Sequence, residues 1–346
     1  MLRHAPWLAG GLLALTVVGA RADDTADRYR LPGPREVQVM YAEWHDTTRD
    51  RAIPAKIYYP ADAQSPQPVI IFSHGLGGTR EGYDYLGRHW ASHGYFSVHI
   101  QHHGSDDAVW RGQQDPLGSM QKAILDIRNS LDRPLDVRFT LDRLEEMNRS
   151  EGPLRSRLDL GRVGVAGHSF GAYTVLAIAG QKFGGPGGRR FTFTDQRVKA
   201  AIAMSAPGHS RFVPPDEAFG DIRIPCMHMT GTRDTSPVLP DTTPEDRLIP
   251  YRHSQGADKC LVVFDGGDHM IFAGARGRIG DGTRDEHFHE LIRMATTAFW
   301  EAYLRDDAGA KSWLVSGGLG AALAPDASFD VQVSTPPVTG TTADPH

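Results

Sequence analysis

Residues 161–171 read Gly161-Arg162-Val163-Gly164-Val165-Ala166-Gly167-His168-Ser169-Phe170-Gly171 and continue as Ala172-Tyr173-Thr174-Val175-Leu176-Ala177. The Val/Ala run predicts a buried strand, and the Ala/Leu/Val run after it predicts a helix. Between them lies G-x-S-x-G. In a strand–turn–helix setting this pattern is a nucleophile elbow, with Ser169 at its tip. Such a turn holds the serine in a strained backbone conformation and lifts its Oγ above the sheet. Gly167 and Gly171 leave room where side chains would collide with the flanking strand and helix. The helix N-terminus also sets a positive dipole beside any oxyanion that forms there.

A serine hydroxyl attacks well only when a base, itself oriented by an acid, takes its proton. On a sheet of this kind the chain order is serine, acid, histidine, each on a loop after a strand. Two loops downstream fit. Cys226 opens an apolar run that ends in Gly231-Thr232-Arg233-Asp234, and a second run over 261–264 ends in Asp265-Gly266-Gly267-Asp268-His269. Asp234 is the candidate acid, with Asp241 next, and His269 is the candidate base, with His253 and His287 as alternatives. Asp268 reads as a loop-ordering residue, because adjacent residues rarely turn their side chains towards each other. Upstream, the run Val69-Ile70-Ile71-Phe72 is followed by Ser73-His74-Gly75-Leu76-Gly77-Gly78. A Gly-rich loop after this strand can aim backbone N–H groups at a substrate oxygen, and the candidate donors are the amides of Leu76 and Phe170.

Outward from these loops, short β-branched runs at 37–41, 53–58, 69–72, 96–100, 163–166, 200–204, 226–230 and 261–264 alternate with helical stretches near 81–93, 169–180 and 286–304. The first two runs alternate like antiparallel edge strands, and the others are continuously apolar, as in strands buried on both faces. This pattern predicts a mostly parallel central sheet with helices on both faces. A longer helical stretch, 120–149, carries Pro134 and is expected to break there. Segments 104–118 and 207–220 read as cap-like insertions at the edge where ligands bind. Trp110, Phe170, Phe212 and Phe219 fall around that edge.

The 346 residues are 40% hydrophobic and 23% charged, with a formal net charge of −5, an ordinary balance for a globular protein. No basic run offsets the charge, which argues against nucleic acid as a partner. Residues 1–22 read as a signal peptide: Arg3, an apolar stretch to Ala20, then Ala20-Arg21-Ala22 as the cleavage site. The reading divides the chain into this leader, a catalytic domain over 23–314, and an Ala/Thr/Pro-rich tail over 315–346. It places the protein outside the cytoplasm, in a periplasmic or extracellular space, with no stable membrane span. Cys226 and Cys260 each open a strand, and both a disulfide and two buried thiols remain open. His102-His103 beside Asp106-Asp107 reads as loop packing and hydrogen bonding, since a metal site needs several converging ligands, and His287-Phe288-His289 lacks the H-E-x-x-H spacing of a zinc site. No nucleotide-binding loop occurs, so neither cofactor nor metal is expected.

The two Gly-rich motifs, His74-Gly75-Leu76-Gly77-Gly78 and Gly167-His168-Ser169-Phe170-Gly171, resemble those of the α/β-hydrolase superfamily, and within it the platelet-activating-factor acetylhydrolase and dienelactone-hydrolase-like branch. The resemblance covers about residues 69–304. It implies an α/β-hydrolase fold and a metal-free esterase for short or medium acyl esters, with Ser169 as nucleophile, Asp234 as acid, His269 as base, and Leu76 and Phe170 as oxyanion donors. Dienelactone hydrolases carry a cysteine nucleophile where this chain has Ser169, which argues against that activity. The branch also resembles cutinases and other polyester hydrolases, so small-molecule and polymeric esters both stand as substrates. A serine peptidase of the same fold is a further alternative.

Overall fold

The computed structural model describes residues 22–208, 212–277 and 279–334. The proposed leader and the last twelve residues of the proposed tail therefore lie outside the described residues, apart from Ala22.

Among the described residues, nine strands form one sheet in the order β1-β2-β4-β3-β5-β8-β9-β10-β11: β1 Val37–Asp46, β2 Arg51–Pro60, β3 Gln67–Ser73, β4 Phe96–Ile100, β5 Leu158–His168, β8 Val198–Met204, β9 Cys226–Arg233, β10 Lys259–Asp268 and β11 Ala327–Gln332. A small separate hairpin joins β6 Lys182–Gly184 to β7 Arg190–Thr192. From β4 to β10 every pairing is parallel, while β1–β2, β2–β4 and β10–β11 are antiparallel. The helices are α1 Ala22–Arg30, α2 Asp84–Ser92, α3 Pro116–Leu125, α4 Ile127–Arg149, α5 Phe170–Ala179, α6 Pro215–Phe219, α7 Ile249–His253, α8 Asp285–Leu304, α9 Ala308–Val315 and α10 Gly318–Leu323.

Side-chain alternation explains why the central strands are apolar throughout. On β3, Ile70 and Phe72 face a core shared with α1, α2, α8, α9 and α10, while Val69 and Ile71 face a second core shared with α4, α5 and α6. All seven β3 residues are buried. Fully burying one such side chain contributes about 1.5–3 kcal/mol. The sheet is thus covered on both sides, and only loops at its strand ends can carry a solvent-facing site. Among the described residues no helix is long and apolar enough to cross a membrane.

Two expectations change, and one open alternative is decided. The break in the 120–149 stretch falls at Asp126, not Pro134: Asp126 is extended (φ −70°, ψ 111°) and its carboxylate caps α4 by accepting from the Arg128 N–H. Pro134 is accommodated inside α4. It leaves the Ser130 carbonyl without a helical donor, and the Tyr173 hydroxyl donates to that oxygen at 3.3 Å. The boundary at residue 314 is also too early, because α10 buries Leu319 and Leu323 and β11 pairs with β10 from Ala327 to Gln332. The two cysteines do not bond. β9 and β10 set Cys226 beside Lys259 and Cys260 beside Met227, so the thiols point into opposite cores. Both are free and buried, and burial pushes the Cys226 thiol up to about 12.

Candidate active site

β5 runs into Ser169, and α5 begins at the next residue. Ser169 has φ 58° and ψ −115°, a conformation that costs about 1–3 kcal/mol and persists only where its surroundings impose it. The turn is tight because the glycines touch backbone. A Cβ on Gly171 would run into the Ser73 carbonyl oxygen, and one on Gly167 would lie 2.8 Å from it.

Three residues from three strand ends meet at this turn. Ser169 Oγ lies 3.0 Å from His269 Nε2, and His269 Nδ1 lies 2.8 Å from Asp234 Oδ1. Asp234 is fully buried and His269 nearly so, whereas Ser169 is half-buried. A carboxylate only accepts, so Nδ1 carries the proton and Nε2 is left as the acceptor facing Ser169. Burial alone would raise the Asp234 carboxyl. The hydrogen bond and charge of His269, the charge of Arg247 and the hydrogen bond from Ser205 outweigh it and hold the group at about 2.

The loop after β3 lies against the elbow. A Cβ on Gly75 would sit 3.4 Å from the Ser169 Cβ, so the residue before Leu76 lies against the serine. Phe170 opens α5, where an N–H has no acceptor within its own helix. The loop is held from outside: Gly77 N–H donates to the Ser105 carbonyl at 2.9 Å, and Trp110 Nε1–H donates to the Gly77 carbonyl at 2.8 Å.

Comparison with known proteins shows what the chain is similar to. A family model described as "Platelet-activating factor acetylhydrolase, isoform II" matches residues 38–138. The platelet-activating factor acetylhydrolase of Cavia porcellus is 28% identical over 181 residues, which is 44% of this chain and 38% of the relative. Cutinase 2 of Thermobifida cellulosilytica is 27% identical over 215 residues, 62% of this chain and 64% of the relative. Cutinase cut1 of Thermobifida fusca is 27% identical over 62% of this chain and 53% of its own length. The chain has the α/β-hydrolase fold. It spans less than two thirds of the length of these curated relatives, and it resembles the acetylhydrolase branch.

The other candidate residues go elsewhere. His253 pairs with Asp216 at 2.6 Å, and His287 with Asp326 at 3.0 Å. Asp241 is exposed on the loop before α7. Asp268 caps the turn at Met270 and pairs with Arg276 at 2.7 Å, the loop-ordering role its position suggests. Phe219 is core rather than rim, while Trp110 and Phe212 are exposed, Phe212 at 76%.

Several neighbours of the Ser169–His269–Asp234 line carry no local sequence signal. Ser205, at the end of β8 with φ 54°, donates to Asp234 Oδ1 at 2.9 Å and sits 2.7 Å from His269 Nδ1. Thr230 donates to Asp234 Oδ2 at 2.8 Å. Arg247, buried just before α7, lies 3.3 Å from Asp234 Oδ1 and donates to the Ser205 carbonyl at 3.2 Å. On the other side, His168 Nε2–H donates to the His269 carbonyl at 2.9 Å, and Tyr83 OH donates to His168 Nδ1 at 2.9 Å. The same hydroxyl accepts from the Gly75 N–H at 3.3 Å. Burial, aided by the charge on His269, holds His168 well below the usual histidine range, so it stays neutral in this chain of bonds. Tyr83 and His168 thus tie the Gly-rich loop to the loop that carries His269.

Proposed function

We propose that this protein is an exported serine carboxylic-ester hydrolase acting on short or medium acyl esters, with Ser169, His269 and Asp234 as its triad. The observation that carries the reading is the hydrogen-bonded line from Ser169 through His269 to buried Asp234, at the tip of a strained elbow. Ser169 Oγ attacks the ester carbonyl while His269 Nε2 takes its proton. The Leu76 and Phe170 amides donate to the oxyanion, and one such donor typically contributes ~3 kcal/mol in the transition state. His269 then protonates the departing alcohol. It next activates water, which hydrolyses the acyl-enzyme. Asp234 keeps the imidazole in the correct tautomer and stabilises the imidazolium. None of these steps calls for a metal or cofactor. Export rests on the character of residues 1–22.

The acetylhydrolase names among the relatives favour a small acyl group. The cutinase names favour a second reading, in which the same site cleaves a polymeric ester, and the exposed Trp110 and Phe212 would suit a large substrate. Initial rates on p-nitrophenyl esters from acetate to palmitate, for wild type and Ser169→Ala, test the proposal. A Ser169-dependent maximum at short chains supports the first reading. A maximum at long chains, together with release of soluble acids from a polyester film, supports the second. Activity that survives Ser169→Ala undiminished rejects both.

A further inference from the structure

Behind the Gly-rich loop lies a second Ser–His–Asp line that cannot reach substrate. Ser73 Oγ is 2.8 Å from His102 Nε2, and His102 Nδ1 is 2.9 Å from Asp136 Oδ2. All three residues are 2% exposed or less. Next to this line sits Arg133, which is fully buried on α4 one turn before Asp136. Its Nε–H donates to Thr174 Oγ1 at 2.9 Å, Nη1–H to Ser105 Oγ at 2.8 Å, and Nη2–H to Ser73 Oγ at 3.0 Å and to the His74 carbonyl. These acceptors are neutral oxygens. Asp136 is taken up instead by Arg51 at 2.8 and 2.9 Å, Arg49 at 2.9 Å and His102. An acyl-transfer site has no direct use for a buried cation of this kind, and burying one with only neutral partners is costly.

The acceptors have one thing in common. Ser73 and His74 lead into Gly75 and Leu76, which start the Gly-rich loop. Thr174 Oγ1 donates in turn to the Phe170 carbonyl at 3.0 Å, and the Arg133 guanidinium lies 4.5 Å from the centre of the Phe170 ring. Ser105 belongs to the loop whose carbonyl holds Gly77. The strand end that leads into the Gly-rich loop, the first turn of α5 and the loop whose carbonyl holds Gly77 are therefore bound to one planar side chain. The relay behind it fixes the direction of the bonds: Asp136 accepts from His102 Nδ1–H, so Nε2 accepts from the Ser73 hydroxyl, which leaves Ser73 Oγ free to accept from Arg133.

We propose that Arg133 is a positioning residue for the oxyanion hole, clamping the peptide after His74 and the first turn of α5 at the separation that lets the Leu76 and Phe170 amides converge on one oxygen. The Asp136–His102–Ser73 line orients the clamp. This inference rests on the ester-hydrolase reading above. Misplacing a catalytic group by about 1 Å can cost about 100-fold, and the loss falls on interactions made only in the transition state.

Arg133→Met and Arg133→Lys test it, with folding checked by circular dichroism and thermal melting. The readouts are kcat and KM on p-nitrophenyl acetate, and the affinity of a trifluoromethyl ketone that adds to serine as a tetrahedral oxyanion. For Arg133→Met, kcat should fall about 100-fold with KM changed by less than about threefold. Ketone affinity should fall by the same factor as kcat/KM. Arg133→Lys keeps the charge but not the planar fork, and should fall between the two. A folded Arg133→Met with kcat within about threefold of wild type, a rise in KM alone, or a loss of kcat with ketone affinity unchanged would each overturn the inference. Should Arg133→Met fail to fold, Thr174→Val carries the test, because it removes both the Nε acceptor and the link to the Phe170 carbonyl. It should lower kcat and ketone affinity together by about tenfold, and no change in either overturns the clamp. Wild-type turnover independent of Ser169 would remove the ester-hydrolase reading and this inference with it. Ser169-dependent turnover with unaffected Arg133 variants removes the inference alone.

Discussion

Asp234→Asn separates the two tasks that the structure gives this carboxylate. The Oδ1 position faces the Ser205 hydroxyl, His269 Nδ1 and the Arg247 guanidinium, whereas Oδ2 faces Thr230 Oγ1. An amide placed here should turn its oxygen to the Oδ1 side and its NH2 to Thr230, whose hydroxyl can accept. His269 then keeps its proton on Nδ1, and only the negative charge is lost. With charges about 4 Å apart and an effective dielectric of about 20, that charge stabilises the imidazolium by about 4 kcal/mol, equivalent to about 10³-fold in rate. Asp234→Ala loses the acceptor as well and should cost about 10⁴-fold. Initial rates on p-nitrophenyl acetate, with burst titration to count active sites, give both numbers. Asn as damaging as Ala would refute the argument for amide orientation. Asn within about tenfold of wild type would refute the charge argument, since that leaves only ~1.4 kcal/mol for it.

Three more predictions follow from the same geometry. Gly171→Ala forces a methyl group into the Ser73 carbonyl and should destabilise the protein by about 3 kcal/mol or more, read as a lowered urea midpoint; an unchanged midpoint would contradict the tight elbow. The Asp234 carboxyl binds its proton less tightly folded than unfolded, so its contribution to stability is complete above about pH 4 and is lost as pH falls through about 2. Urea melts across that window should show a slope for wild type that Asp234→Asn flattens. Cys226 and Cys260 should not react with a thiol reagent in the native protein, yet both should titrate in denaturant without any reductant. A disulfide found by mass would contradict their placement on opposite faces.

What could be read from the sequence was local. Gly167 to Gly171 between a Val/Ala run and an Ala/Leu run specify strand, turn and helix within a few residues, and Asp234 and His269 each close a short loop that follows an apolar run. The remaining features depend on contacts across the fold. Arg133, Asp136 and Thr140 lie on α4 among many exposed charges, and a helical pattern alone assigns such residues to solvent, yet here they point inward. Pro134 reads as a helix breaker until the Tyr173 hydroxyl, far away in sequence, takes the carbonyl it frees. Ser205 and Arg247 reach Asp234 only because β8 and β9 are neighbours and the turn before α7 folds back over them. The final strand β11 has few apolar residues to announce it, because an edge strand buries only one face.

The most direct test of the central claim is to trap the covalent intermediate. Wild type and Ser169→Ala are mixed with p-nitrophenyl acetate, quenched in acid during the burst, digested and mapped by mass. The account predicts one acetyl group per wild-type chain, on the peptide containing Ser169, and none on the variant. An acetyl group on another residue, or turnover with no acylated Ser169, would contradict it.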